Sequence, residues 1–113
     1  MEHIMNLCRE PFDMIASGEK TIELRLYDNK RQRVKVGDTI IFMSLDDRND
    51  VLKTKVVKIY TFKNFAELYR NLPLLKCGYR EGEPANPNDM LMYYSREQEE
   101  KYGVVGIEIT VIN

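Results

Sequence analysis

Residues 21–26 alternate without a break, with Ile22, Leu24 and Leu26 on one side and Thr21, Glu23 and Arg25 on the other. This period-two pattern predicts a strand with one buried face. The opposite face is dense in charge, so it is either a solvated surface held by ion pairs or the wall of a polar site. Upstream, residues 3–8 (HIMNLC) predict a short apolar strand. Residues 10–17 (EPFDMIAS) predict a helix with Pro11 in its first turn, Gly18 at its end, and Phe12, Ile15 and Ala16 as its buried stripe. Downstream, the polar segment 28–35 predicts a turn or short helix. Val36-Gly37-Asp38 is a turn leading into a core strand over 39–43 (TIIFM). A polar loop at 46–50 (DDRND) then connects, hairpin-like, to a long strand rich in β-branched residues over 51–62.

The last third mixes helix signals with breakers. Asn64 caps a helix reaching about residue 72, with Phe65, Leu68 and Leu72 on its apolar face and Pro73 as its stop. Residues 73–88 contain Gly78, Gly82, Pro84 and Pro87 and read as a loop. With Asn88 as its cap, the following segment predicts a helix in two pieces broken near Ser95, where SREQ has the form of a capping box, and Gly103 ends it. Residues 104–112 close the chain as a strand, with Ile107, Ile109 and Val111 alternating against Glu108 and Thr110. The order β-α-β-β-β-α-α-β predicts one α+β domain over residues 1–113. About five strands of this length are best satisfied by a small closed or nearly closed β-barrel with helices on its rim.

Composition adds exclusions. At 43% hydrophobic and 31% charged the chain is globular, and a formal net charge of −1 supplies no global attraction to nucleic acid. No apolar run approaches the ~20 residues of a membrane span, and charged residues interrupt the first apolar positions, so the expectation is a cytoplasmic protein without membrane attachment. Two cysteines, Cys8 and Cys77, form no CxxC pair and indicate neither a disulfide framework nor a metal site. His3 and Cys8 are separated by an odd number of residues and would face opposite sides of one strand, which argues against a nucleophilic pair.

Thr21, Glu23 and Arg25 stand at successive ~7 Å steps along one strand face. An arginine fork can grip phosphate, a glutamate can accept from an exocyclic amine, and Lys20 adds a point charge from the helix-to-strand junction. As simple surface pairs the same residues would contribute only ~0.2–1 kcal/mol each. Lys30, Arg31, Arg33 and Lys35 are the candidate phosphate contacts, joined by Lys53, Lys55 and Lys58 if the strands bring them alongside. Tyr93, Tyr94 and Tyr102 could stack an unpaired base; Tyr94, four residues from Met90, reads instead as core, which leaves Tyr93 or Tyr102 as the exposed ring.

The segments PFDMIASGEKTIELR, VGDTIIF, NFAELYRNL and YYSREQEEKYGVVGIEI together resemble the ASCH domain, the activating-signal-cointegrator homology family, over nearly the whole chain. The resemblance implies a PUA-like β-barrel with a cleft beside the first helix and second strand, where the family is inferred to bind RNA or nucleotides without a cofactor. One bacterial branch removes the acetyl group of N4-acetylcytidine with a lysine, a threonine and a glutamate around a K-T-x-T segment. Lys20 and Thr21 match the first two letters, but Glu23 stands where the nucleophilic threonine falls, so covalent acyl transfer does not carry over. The leading expectation is an RNA- or nucleotide-binding cleft lined by Lys20, Thr21, Glu23 and Arg25. Its rivals are a hydrolase of a modified nucleoside or RNA, with Lys20 and Glu23 as acid–base groups, and a protein-interaction module.

Overall fold

The computed structural model describes residues 1–112. The strands are β1 (Glu2–Leu7), β2 (Ile22–Leu26), β3 (Thr39–Ser44), β4 (Val51–Phe62) and β5 (Val104–Val111), and the helices are α1 (Arg9–Ser17), α2 (Phe65–Asn71) and α3 (Arg96–Tyr102). The strands form one sheet in the order β1-β3-β4-β5-β2, with β1 parallel to β3 and every other pair antiparallel. A register shift between Val56 and Lys58 marks a bulge in β4, the kind of irregularity that bends a strand. The sheet curls into a half-barrel flanked by helices.

The hydrophobic pattern explains the two cores. One gathers Met5, Ile40, Phe42, Val56, Val105 and Ile107 beneath Phe12 and Ile15 of α1. The other packs Ile22, Leu24, Leu26 and Val104 against Phe65, Leu68 and Leu72, on and just after α2. Strand β5 is therefore buried on both faces over its first half, and only Glu108 and the residues after Ile109 emerge. Phe42, Ile40 and Ile107 are wholly buried, and burial of each contributes about 1.5–3 kcal/mol. Ala16, expected in the buried stripe of α1, is exposed, because Phe12 and Ile15 fill the contact of this nine-residue helix.

Asn64 caps α2 by accepting from the Glu67 amide at 2.8 Å, and Ser95 and Gln98 form the reciprocal capping box of α3. The helix expected from Asn88 onward is instead a 3₁₀ segment, Pro87–Met92, capped by Asn86; Pro87 sits in its first turn. A second 3₁₀ turn, Leu75–Cys77, interrupts the segment read as loop. Gly103 joins α3 to β5 at φ 72° and ψ −171°, and a β-carbon there would stand 2.9 Å from the carbonyl oxygen of Phe62. Gly103→Ala is expected to cost about 3 kcal/mol, since that region is essentially restricted to glycine. Thermal melting should show a Tm lower by roughly 10 °C.

The two edges of the sheet, β1 and β2, approach each other and are joined by side chains. Odd-numbered residues of β1 bond toward β3, as when Leu45 donates to the Leu7 carbonyl, so the carbonyls of Ile4 and Asn6 face the open edge. Lys30 donates to Ile4 at 3.0 Å and Arg25 donates to Asn6 at 2.8 Å. This seam sets the position of the charged residues of β2.

Candidate functional site

Lys20 owes its place to the end of α1. Gly18 adopts the left-handed conformation that ends the helix, and its amide donates to Ile15. The Lys20 amide then donates to Met14 at 3.0 Å and the Thr21 amide to Lys76 at 2.9 Å. The chain turns into β2 with the lysine stem against Gly78, where a β-carbon would lie 3.2 Å from Lys20 Cδ. Gly78 itself has φ 103°, so both its backbone and its neighbour favour glycine.

Glu23 lies opposite Ile107 in the ladder and faces the interior of the curl. Its carboxylate is nearly enclosed, with 4% of the side chain exposed, and takes two cations: Lys20 Nζ at 2.9 Å on Oε1 and Arg25 Nη2 at 2.9 Å on Oε2. Arg25 Nε adds a second bond to Oε2 at 3.2 Å, and the outward amide of Leu24 donates to Oε1 at 3.2 Å. Four donors thus occupy a group that offers about four lone-pair sites. Burial opposes the charge on Glu23, but Lys20 and Arg25 outweigh it and hold the carboxyl at about 2. Burial likewise works against the Arg25 cation, which Glu23 and the Tyr94 hydroxyl more than restore.

These three side chains form the floor of a cleft of about 410 Å³ between α1, the seam and the segment after α2. Its walls carry Tyr69, Tyr79, Tyr93 and Tyr94, with Met14 from α1 and Met90 and Met92 from the 3₁₀ segment. Tyr79 meets Tyr69 edge to face at 5.4 Å and donates to its hydroxyl at 3.0 Å; burial raises both phenols. Tyr94 stacks on Phe65 at 6.2 Å, while Tyr93 is 57% exposed at the mouth. The acidic residues Glu10, Glu83 and Asp89 line the cleft; Glu10 pairs with Arg80 at 3.2 Å, and the Tyr79 hydroxyl lies 3.5 Å from Asp89.

The family model for the ASCH domain matches residues 5–113. The chain belongs to the ASCH domain family. Among solved structures, this ASCH domain is similar to the hypothetical protein PH0355 at 37% identity and a TM-score of 0.83, covering 99% of this chain and 100% of that one. It is similar to protein PF0455 from Pyrococcus furiosus at 32% identity and 0.73, covering 100% and 99% respectively. A mutant form of ZmASCH from Zymomonas mobilis shares the fold at 15% identity and 0.68, covering 99% of this chain and 75% of that one. No curated protein matches the chain.

Of the four ligand residues expected from the sequence, the ASCH fold brings Lys20, Glu23 and Arg25 together. Thr21 does not line this cleft and lies instead in a second groove beside Thr110 and Val111, which Lys20 also borders. None of Lys30, Arg31, Arg33 and Lys35 lines the cleft: Lys30 is spent on the seam, Arg31 pairs with Asp28 at 2.9 Å, and Arg33 and Lys35 are exposed. His3 and Cys8 are separated as their spacing predicts, His3 being buried on Asp38 at 2.8 Å while Cys8 is exposed. Among the cleft residues that the sequence did not mark as site candidates are Tyr69, Cys77 and Tyr79. Tyr69 follows Phe65 by one helical turn and packs on it at 6.3 Å, so its place on the apolar stripe of α2 was the available signal; Cys77 and Tyr79 lie in the glycine-rich segment, where an aromatic between Gly78 and Gly82 was the available signal.

The two cysteines of this ASCH domain differ in burial. Burial raises the Cys77 thiol to about 11, with Lys20 only partly opposing it, whereas Cys8 is exposed at the cleft edge. Iodoacetamide at pH 8 is expected to alkylate Cys8 and to spare Cys77 until the chain unfolds. Peptide mass mapping reads this directly, and equal labelling of both in the native state would contradict the packing described.

Proposed function

We propose that this ASCH domain binds RNA or a nucleotide by seating one base in the cleft. The observation that carries the reading is the buried Lys20–Glu23–Arg25 cluster at the floor of an aromatic-walled cleft. A volume of about 410 Å³ falls in the range of small-ligand sites, and tyrosine faces suit a planar ring. RNA binding is also a general association of the family. In this reading Lys20 and Arg25 contact the ligand and Glu23 holds both in place. Arg33 and Lys35, left exposed, are the members of the basic segment that supply phosphate contacts along a strand leaving the cleft.

A hydrolytic role with Lys20 and Glu23 as acid–base groups gains no support from Glu23. At neutral pH its carboxylate has no proton to give, and its oxygens are already occupied. Calorimetric titration with short single-stranded RNAs at two salt concentrations tests binding. Affinity that falls with salt and is lost in the Lys20→Ala/Arg25→Ala double variant supports the proposal; affinity unchanged in that variant overturns the cleft as the site.

A further inference from the structure

Two cations and one carboxylate are enclosed together at the floor of the cleft. Lys20, Arg25 and Glu23 are 11%, 13% and 4% exposed, so one positive charge in the cluster has no enclosed counterpart. The neighbouring groups that titrate stay neutral: burial pushes the Cys77 thiol up to about 11 and raises the Tyr69 and Tyr79 phenols. The acidic residues that line the cleft, Glu10, Glu83 and Asp89, are exposed at its margin, where water screens them from the floor. An enclosed charge is costly unless something pairs with it, and a ring entering the cleft displaces the water that serves the free protein.

The donors beside this charge are Lys20 and Tyr94. An ammonium has three N–H groups, and among the described residues Lys20 spends one, on Glu23. Arg25 is committed, with Nε and Nη2 on Glu23 and Asn6 and the Tyr94 hydroxyl as a further partner. In accepting from the arginine, the Tyr94 oxygen keeps its own O–H to donate.

We infer that the cleft takes a ring bearing a compact oxyanion, a carboxylate or a phosphate, and that this group is seated inward on the Lys20 ammonium. This rests on the base-binding reading above. Charge sets the orientation without reference to any one ring position. Among the described residues Lys20 and Arg25 are the only cations that line the cleft, and the carboxylates at the margin repel an anion left outside. An oxyanion offers lone pairs to Lys20 and Tyr94 and also matches the remaining positive charge. A neutral ring, whatever acceptors its edge bears, answers only the donors.

Uracil and orotate differ by one ring carboxylate, and uridine and adenosine differ from their 5′-monophosphates by one phosphate. Calorimetry on the purified chain should give an anion at least about tenfold tighter binding than its neutral parent, the gain of a charge-assisted bond. A response to orotate alone assigns a ring carboxylate, a response to the monophosphates alone assigns a terminal phosphate, and a response to both assigns a site that accepts either; all three uphold the inference. Lys20→Met keeps the stem and leaves Glu23 and Arg25 as a neutral pair, so the preference should fall to near unity in the folded variant, as checked by thermal melting. If that variant does not fold, the comparison on the natural chain decides by itself. Neutral parents bound as tightly as their anions, or a full preference in folded Lys20→Met, overturn the oxyanion site and leave base binding intact. If none of these compounds binds while single-stranded RNA does, the oxyanion site falls alone; if RNA fails as well, both readings fall together.

Discussion

Replacing Glu23 by glutamine is expected to destabilise the fold by about 3–5 kcal/mol, the usual consequence of removing one partner from a buried ion cluster. The amide keeps the shape but strands Lys20 and Arg25, whose distances of 2.9 Å to the carboxylate leave no room for water between them. Its NH₂ group would also meet one of the donors that now bond to Glu23. The effect depends on pH. The folded carboxyl is depressed from 4.5 to about 2, so its contribution is fully present above about pH 4.5 and is lost as pH falls through about 2. That shift corresponds to about 3 kcal/mol at neutral pH, in line with the variant estimate. Asp38, lowered to about 2 chiefly by its bond to His3, titrates in the same acid window, so acid unfolding of the natural chain reflects both groups. Melting of the natural chain and Glu23→Gln from pH 7 to pH 2 separates them. The gap in Tm should be widest at neutral pH and close toward pH 2. A gap that does not change with pH would mean that the carboxylate's charge is not what stabilises the cluster.

Arg25→Ala is expected to weaken ligand binding by about 100-fold, since it removes charge-assisted donors from a desolvated floor. The same substitution opens the seam, because the bond from Arg25 to the Asn6 carbonyl joins the two sheet edges and Lys30 alone would remain beside it. Arg25→Lys should rescue little of either property. The guanidinium serves Glu23 through two nitrogens while reaching Asn6, a geometry that a single ammonium cannot reproduce. Binding constants for the three proteins, measured where melting shows each to be folded, check this. Arg25→Lys with natural affinity would reduce the arginine to a point charge.

The sequence discloses much of this architecture because its local signals agree. The alternation of Ile22, Leu24 and Leu26 against Glu23 and Arg25 assigns β2 and its two faces, and Asn64, Ser95 and Gly18 mark helix ends that the structure bears out. What the alternation does not reveal is that the charged face is enclosed as well as the apolar one. Glu23 is buried because β1, distant in sequence, reaches the open edge of β2, and such an approach leaves no trace in periodicity. The same holds for the fate of the basic segment, where Lys30 and Arg31 are consumed by a strand carbonyl and by Asp28. Thr21 shares the parity of Glu23 but precedes β2, where the turn bonded to Met14 and Lys76 leaves it in the second groove. Of the aromatic walls, Tyr79 lies in segment 73–92, whose irregular backbone lacks any period; it is placed by its contact with Tyr69 and by the 3₁₀ turn before it.

The central claim is that Lys20, Glu23 and Arg25 form the floor of a base-binding cleft. Titration of the ¹⁵N-labelled chain with nucleosides, nucleotides and short single-stranded RNAs, followed by amide and arginine side-chain shifts, tests it most directly. The account predicts saturable shifts concentrated on residues 20–25 and on Cys77, Gly78, Tyr79 and Tyr94 around the same cleft. Shifts confined to the exposed lysines of β4, or to the outer face of α3, with residues 20–25 unmoved, would contradict it and return the cluster to a purely structural role.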